Sequence, residues 1–114
     1  LEVMESATDA RGRRLKVSQI VLPPSIFYTT EDVRAGIAGR AVGERLAASY
    51  INFYICNGAV IVPQFGVSTD RTAAHQIQEL FPDRRVVPIH SRHILLGGGN
   101  IHCITQQQPA VSMV

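Results

Sequence analysis

The sequence predicts an α/β fold whose sheet pairs strands in both directions. The dipeptide Asn57-Gly58 lies between two apolar stretches, and this dipeptide is favoured in the two-residue turns of β-hairpins. A stretch with helical periodicity follows and ends at Pro82, and residues 85–89 then have the composition of a further strand. The predicted order is strand, strand, helix, strand. Because the first two strands form a hairpin, the pairing is mixed and not purely parallel.

The two hairpin strands are predicted over residues 49–56 and 59–62. In the first strand apolar and polar side chains alternate, so one face is strongly apolar. That face carries Ile51, Phe53 and Ile55. Asn52 is on the opposite face, where it either contacts a ligand or makes a turn or sheet-edge hydrogen bond. The second strand is apolar on both faces, as buried strands are, and we expect Pro63 to end it.

The helix is predicted to begin at one of three N-cap candidates and to end at Pro82. The candidates are Ser68, Thr69 and Asp70. The apolar residues of the helix follow the i, i+4, i+7, i+8 spacing, so one face packs on the sheet. These apolar residues are Ala73, Ile77, Leu80 and Phe81.

Residues 1–46 are predicted to hold one strand and a long irregular connection. The strand covers residues 15–22, where apolar residues alternate imperfectly, and Pro23-Pro24 ends it. The connection, at residues 29–45, is rich in glycine and contains one short helix that begins near Thr30. Connections of this length in compact proteins are usually functional or mobile.

Residues 47–114 are predicted to form one ββαβ module that ends in a glycine turn and a last strand. The turn is Gly97–Gly99, and the last strand covers residues 101–106. Successive side chains of a strand point to opposite faces. His102 and Cys103 are therefore expected to point apart, so His102 is not expected to act as a base for the neighbouring thiol.

Composition excludes several classes of function. The chain has 114 residues, enough for one domain, and its net charge of +2 is too small to indicate a nucleic-acid partner. No apolar run approaches the ~18 residues of a membrane span. The chain has two cysteines, Cys56 and Cys103, whose spacing matches neither a metal site nor a redox pair. From these cysteines we expect a reducing, cytoplasmic setting. Separately, we expect the chain to be a segment of a longer protein.

Cys103 is the candidate nucleophile. A glycine turn can bring backbone N–H groups close to a thiol, and such groups lower its pKa. The alternative is a buried cysteine that behaves as a small apolar residue. A nucleophilic cysteine also needs a base, and the chain offers none in sequence near Cys103. His90 and His93 have no nearby carboxylate to complete a metal site, so no metal is predicted.

Five segments of the chain resemble the agmatine deiminases, in the same order along the sequence. These enzymes belong to the guanidine-modifying superfamily, together with the bacterial-type peptidylarginine deiminases. The most specific segment is Gly-Gly-Gly-Asn-Ile-His-Cys-Ile-Thr-Gln-Gln-Gln-Pro at residues 97–109. The other segments are residues 8–13, 43–54, 62–66 and 81–84.

The resemblance implies a partial five-fold pseudosymmetric α/β propeller of the pentein type, with about two ββαβ modules in this chain. It also implies that Cys103 attacks the guanidinium carbon of agmatine, and that Gly98, Gly99 and Asn100 bind the substrate. Ammonia then leaves, a covalent thiouronium-type adduct forms, and water releases N-carbamoylputrescine on the route to putrescine. No cofactor is implied, and the implied partner is a small guanidine substrate.

The chain departs from the family pattern in one important way. The catalytic histidine of the family lies in a Gly-His-X-Asp motif, and acidic residues bind the guanidinium, but the chain contains no Gly-His pair. We therefore expect residues 1–114 to be the C-terminal segment of a deiminase catalytic domain. By itself the segment should be inactive, and it should associate with the missing modules or with copies of itself.

Two other hypotheses stay open. The chain could be a non-enzymatic remnant that self-associates through exposed strand edges. It could also belong to a deiminase of peptidyl- or free arginine. An arginine carboxylate needs a cationic partner, for which Arg45 and Arg92 are the candidates.

Overall fold

A computed structural model describes residues 1–36 and 39–110 of the chain. The helices are α1 (Glu2–Ser6), α2 (Thr30–Arg34), α3 (Asp70–Leu80) and α4 (Arg92–Leu95), with a 3-10 turn at His102–Ile104. The strands are β1 (Tyr54–Cys56), β2 (Ala59–Gln64) and β3 (Arg85–His90). Within the described residues, no helix has the length and apolar character that crossing a membrane requires.

The three strands form one mixed sheet in the order β1-β2-β3. β1 and β2 are antiparallel, with Cys56 opposite Ala59, so Asn57 and Gly58 form a two-residue turn. Gly58 has a φ of +73°, in the left-handed region that favours glycine, whereas Asn57 does not have a positive φ, so a positive φ occurs only at the second turn residue, as in a type II turn. β2 and β3 are parallel, and α3 connects them. The predicted α/β class, hairpin and mixed pairing are confirmed.

The hydrophobic core lies between β2 and α3. Val60 and Val62 of β2 are fully buried, as are Ala73 and Ile77 of α3. The predicted helix and its packing face are confirmed at these positions. Leu80 was also expected on that face, but it is 39% exposed. The buried stripe of this short helix is therefore narrower than the sequence pattern indicated.

Asp70 connects the beginning of α3 to the end of the hairpin. Its carboxylate accepts hydrogen bonds from the backbone N–H groups of Phe65, Gly66 and Val67, at 2.7–3.2 Å. It also accepts the hydroxyl of Tyr50 at 2.7 Å. Burial raises the pKa of Tyr50, so its hydroxyl remains a proton donor to this carboxylate. Of the three N-cap candidates, Thr69 occupies the N-cap position, but its side chain makes no capping bond.

The first hairpin strand is shorter than predicted, because residues 49–53 are not part of a strand. Tyr50 is 1% exposed and Ile51 is 67% exposed, the reverse of the predicted alternation. The pairing of β1 with β2 ends at Tyr54 opposite Ile61, so the residues before Tyr54 have no strand partner. The hydrogen bond to Asp70 holds Tyr50 inside and turns Ile51 towards solvent.

β2 continues through Pro63, which was expected to end it. The carbonyl of Gln64 accepts the N–H of Ser91 on the β3 side of the strand, at 2.9 Å. The nitrogen of the preceding residue, Pro63, therefore faces the other edge, where β1 no longer pairs. A missing N–H on that edge breaks no ladder hydrogen bond.

The N-terminal part of the chain wraps the core without joining the sheet. The strand predicted at residues 15–22 is not formed, and in place of a strand partner Val21 N–H donates to the side chain of Gln76 on α3 at 2.9 Å. The short helix predicted near Thr30 is confirmed as α2. It begins with a capping box, in which Thr29 and Asp32 each accept the other's backbone N–H.

Candidate active site

Two turns enclose the candidate site: the glycine turn after α4 and the 3-10 turn that follows it. Gly98 has a φ of +95°, which lets the chain reverse after α4. Gly99 is needed for a different reason. A Cβ at Gly99 would lie 2.8 Å from Sγ of Cys103 and 2.9 Å from its Cβ. The backbone of Gly99 therefore occupies the space directly beside the thiol.

Cys103 lies in the 3-10 turn and not in a strand. Its N–H donates to the carbonyl of Asn100 at 3.0 Å, and the hydroxyl of Thr105 closes the turn on the carbonyl of His102 at 2.8 Å. The strand predicted at residues 101–106 is therefore wrong, and with it the argument that His102 and Cys103 point to opposite faces. The cysteine is exposed and free, so the alternative of a buried apolar cysteine is also wrong.

Asn52 contacts the thiol from a distant part of the chain. Its Nδ2 donates to Sγ of Cys103 at 3.1 Å, and its Oδ1 accepts the backbone N–H of His102 at 2.9 Å. The hydrogen bond from Asn52 lowers the pKa of Cys103, and backbone hydrogen bonding at Asn100 lowers it further. Asn52 was expected either to contact a ligand or to make a turn or sheet-edge hydrogen bond. In the structure its side chain hydrogen-bonds both to the turn at His102 and to the candidate nucleophile itself.

The residues predicted to bind substrate do not all face the same way. Gly98 is exposed at the turn, and Gly99 is half-buried beside the thiol. Asn100 is only 1% exposed, and its Oδ1 accepts the N–H of Ile101 at 2.8 Å. Its Nδ2 has no hydrogen-bond partner among the described residues. Asn100 is thus part of the wall that supports the turn, and its carbonyl holds the N–H of Cys103.

An ion pair that the sequence analysis did not identify fixes α2 against α4. Arg92 donates to both carboxylate oxygens of Asp32, at 2.8 and 2.7 Å, and Asp32 is 8% exposed. These hydrogen bonds from Arg92 hold the pKa of Asp32 far below its usual range. Nearby, the hydroxyl of Tyr28 donates to the carbonyl of Leu96, just before the glycine turn. The spacing of Thr29 and Asp32 fits a helix cap, but no residue near Asp32 in the sequence indicates Arg92 as its partner.

The ion pair also bears on the two arginines considered as carboxylate partners. Arg92 is committed to Asp32 in a bidentate pair, and it is not free to bind a substrate carboxylate. Arg45 is exposed, and its backbone forms an isolated bridge with Phe27.

In the part of the chain that the structure describes, the thiol of Cys103 has a lowered pKa but no hydrogen bond to a proton acceptor. Within residues 1–36 and 39–110, no imidazole or carboxylate hydrogen-bonds to Sγ of Cys103. The same residues contain no cluster of three or more histidine, cysteine or carboxylate side chains that could hold a metal. A shallow depression of about 410 Å³ lies beside the thiol's hydrogen-bond partner and is lined by Ser49, Ile51, Asn52 and His102.

Comparison with known proteins supports the resemblance. A sequence model of the Porphyromonas-type peptidyl-arginine deiminases matches residues 1–109. A protein of Selenomonas ruminantium assigned as an agmatine deiminase is 48% identical over 97% of this chain. One from Listeria monocytogenes, assigned in the same way, is 48% identical over 95% of it. The structure of the agmatine deiminase of Enterococcus faecalis superposes with a TM-score of 0.83 and 40% identity, over 95% of this chain.

The chain is much shorter than these relatives. It covers 32% of the Selenomonas protein, 31% of the Listeria protein and 31% of the Enterococcus structure. The alignments therefore compare this chain with about one-third of each relative.

Proposed function

The chain belongs to the Porphyromonas-type peptidyl-arginine deiminase family, and from that membership we propose that it is the C-terminal, nucleophile-bearing part of an agmatine deiminase. The single observation that carries the proposal is the exposed thiol of Cys103, placed between the backbone of Gly99 and the amide of Asn52. The names of the relatives support agmatine as the substrate.

The proposed reaction begins with the thiolate of Cys103. Sγ attacks the guanidinium carbon of agmatine, an S–C bond forms, and a C–N bond breaks as one nitrogen leaves with an added proton as ammonia. Water then adds to the carbon of the thiouronium adduct, and the S–C bond breaks. The products are N-carbamoylputrescine, which feeds putrescine synthesis, and the free thiol. The net reaction consumes one water, needs no cofactor, and is the hydrolysis of a C–N bond.

The remainder of the enzyme would supply the groups that this chain lacks. A planar cation beside the sulfur favours the thiolate, but ammonia needs a proton donor and the attacking water needs a base. We infer that a histidine and carboxylates from the other modules of a five-fold α/β propeller complete the site in the cytoplasm. The described residues form one ββαβ unit, β1-β2-α3-β3, where the resemblance implied about two, and we propose that this chain contributes that unit to such a propeller. In the described residues the outer edges of β1 and β3 have no strand partner, and they offer positions for neighbouring modules or further copies.

We propose that the substrate is bound by backbone groups and not by side chains at Gly98, Gly99 and Asn100. Gly98 is at the exposed side of the turn and Gly99 is against the sulfur. The Asn100 side chain is buried, so its role is to support the turn that presents the thiol.

The proposal is tested by labelling the 114-residue chain with chloroacetamidine, a cationic mimic of the guanidinium group. Cys103 should react faster with chloroacetamidine than the half-buried Cys56, because Cys103 is exposed and its pKa is lowered, and Cys103→Ser should abolish this fast labelling. Agmatine turnover by the isolated chain should be absent. Turnover should appear when the chain replaces the matching third of the Enterococcus faecalis enzyme, and a folded chimera without turnover would refute the proposal.

The family description also favours a second candidate, an enzyme that acts on peptidyl- or free arginine. Free arginine carries a carboxylate that agmatine lacks, and Arg92 is already paired with Asp32. Offering the chimera agmatine and arginine in competition separates the two, because the preferred substrate is consumed first.

A further inference from the structure

We propose that Asn57 is a site of spontaneous modification: its side-chain amide cyclises with the backbone nitrogen of Gly58 and is then hydrolysed to a carboxylate. The co-reactant is water, and neither a cofactor nor the proposed deiminase activity takes part. The chain has three asparagines, at positions 52, 57 and 100, and only Asn57 is followed by glycine. The structure holds these three amides in different ways, and those differences make Asn57 the reactive one.

Both groups that would form the new bond are accessible at the tip of the hairpin. Asn57 and Gly58 are both exposed. Among the described residues, the side chain of Asn57 makes no hydrogen bond, and the N–H of Gly58 donates none. A Cβ placed at Gly58 would meet no atom within 4 Å, so the space beside this peptide is open. The attacking nitrogen and the amide carbon are therefore free of competing contacts.

The other two asparagines are held away from this reaction. Asn52 uses both ends of its amide, donating from Nδ2 to the thiol of the candidate nucleophile and accepting a backbone N–H at Oδ1. Asn100 is 1% exposed, and its Oδ1 accepts the N–H of Ile101, the nitrogen that would have to attack. The residues that follow them, Phe53 and Ile101, also carry a bulky side chain beside that nitrogen, which glycine lacks.

The geometry of the turn supplies the motion that ring closure needs. The φ of Gly58 is positive and that of Asn57 is not, and a turn of this kind changes type when the peptide plane between its two central residues rotates. The rotation moves the nitrogen of Gly58 relative to the side chain of Asn57, and neither group loses a hydrogen bond to a described residue. Cys56 and Ala59, which are paired across the hairpin, hold the ends of the turn meanwhile.

The reaction has two steps. The nitrogen of Gly58 loses its proton to hydroxide and attacks Cγ of Asn57, so the rate rises with pH. A C–N bond forms, the bond between Cγ and Nδ2 breaks, and Nδ2 takes up a proton and leaves as ammonia. Water then opens the succinimide ring at either carbonyl carbon, which leaves aspartate or isoaspartate at position 57. An amide has become a carboxylate, so the net charge of +2 falls by one.

The two products should affect the hairpin differently. Aspartate can occupy position 57 without strain, because the backbone there has no positive φ, so we expect this product to keep the fold. Isoaspartate lengthens the backbone of a two-residue turn by one carbon. Of the three residue pairs between β1 and β2, the pair of Cys56 with Ala59 adjoins the turn. We expect the isoaspartate product to lose this pair and to unfold at a lower urea concentration.

The measurement follows the 114-residue chain during incubation at mildly alkaline pH. Peptide mass spectrometry detects the exchange of NH2 for OH at each asparagine, and an isoaspartyl methyltransferase with a labelled methyl donor reports isoaspartate. In the folded chain we expect Asn57 to convert at least roughly tenfold faster than Asn52 or Asn100, because those two react only after local opening. In urea, Asn52 and Asn100 should speed up, whereas Asn57 should change little.

Two variants test the chemistry. Gly58→Ala places a Cβ beside the attacking nitrogen in open space and should slow conversion, and Asn57→Gln keeps an exposed amide but needs a larger ring, so it should not convert. Conversion of Asn57 only in urea, or no faster than Asn100 in the folded chain, would overturn the proposal, as would a wild-type rate in Gly58→Ala. If Gly58→Ala does not fold, the three asparagines of the wild-type chain decide the question by themselves.

Discussion

Replacing Gly99 by alanine tests the close approach on which the site depends. The new methyl carbon would lie 2.8 Å from Sγ and 2.9 Å from Cβ of Cys103. The sulfur can rotate, but the Cβ is fixed to the 3-10 turn, so the turn itself must move. Overpacking of this kind costs about 1–3 kcal/mol. The φ of Gly99 is outside the left-handed region, so the contact alone causes the loss.

Gly97→Ala is the matched control, since its Cβ would meet only the carbonyl oxygen of Ile94, at 3.4 Å. Both substitutions stiffen the unfolded chain equally, so their difference isolates the contact. In urea unfolding, we expect the midpoint of Gly99→Ala to lie about 1 M below that of Gly97→Ala. The double variant Gly99→Ala/Cys103→Gly should recover most of that loss. Equal midpoints for the two alanine variants, or no recovery in the double variant, would refute the reasoning.

Three further predictions concern the fold. Asp70→Ala should lower the free energy of unfolding by about 2–4 kcal/mol, because several backbone N–H donors lose a charged acceptor. Asp83 is exposed, so Asp83→Ala should change the free energy of unfolding little, and calorimetry compares the two variants. The hydrogen bonds from Arg92 lower the pKa of Asp32 in the folded state, so this carboxylate stabilises the fold fully above the ordinary carboxyl pKa, and that stabilisation is lost as pH falls through the lower, folded value. In an acid titration, the free energy of unfolding of Arg92→Met should therefore fall less steeply below about pH 4 than that of the wild type. Gly58→Ala should cost about 1 kcal/mol, because its φ is +73°, and an unchanged thermal midpoint would contradict this.

The sequence patterns predicted some elements and failed at others for identifiable reasons. The hairpin at Asn57-Gly58 and the helix α3 are confirmed because a turn dipeptide and a helical period are local signals. The strand predicted at residues 15–22 is wrong because no other strand of the described residues lies beside that segment, and the strand predicted at residues 101–106 is wrong because His102–Ile104 form a 3-10 turn. The motif around Cys103 identified the candidate nucleophile before any geometry was known.

The environment of that nucleophile was beyond any local pattern. Nothing in the residues near Asn52 indicates that its amide reaches Cys103, and nothing near Asp32 indicates Arg92 as its partner. The capping box of Thr29 and Asp32 involves only residues at the beginning of α2, whereas the bidentate pair depends on where α4 lies. Likewise, the alternation of residues 49–56 concealed that Tyr50 is held inside by Asp70.

By itself, the sequence determined the turn at Asn57-Gly58, the period of α3 and the glycine turn that leads to Cys103. These depend on backbone preferences and side-chain spacing within a few residues. Only the tertiary structure decided which amide meets the thiol, which arginine is already paired and which strands find partners. Each of those contacts joins groups that are distant along the chain, and its energy depends on distances that exist only after the core between β2 and α3 has formed.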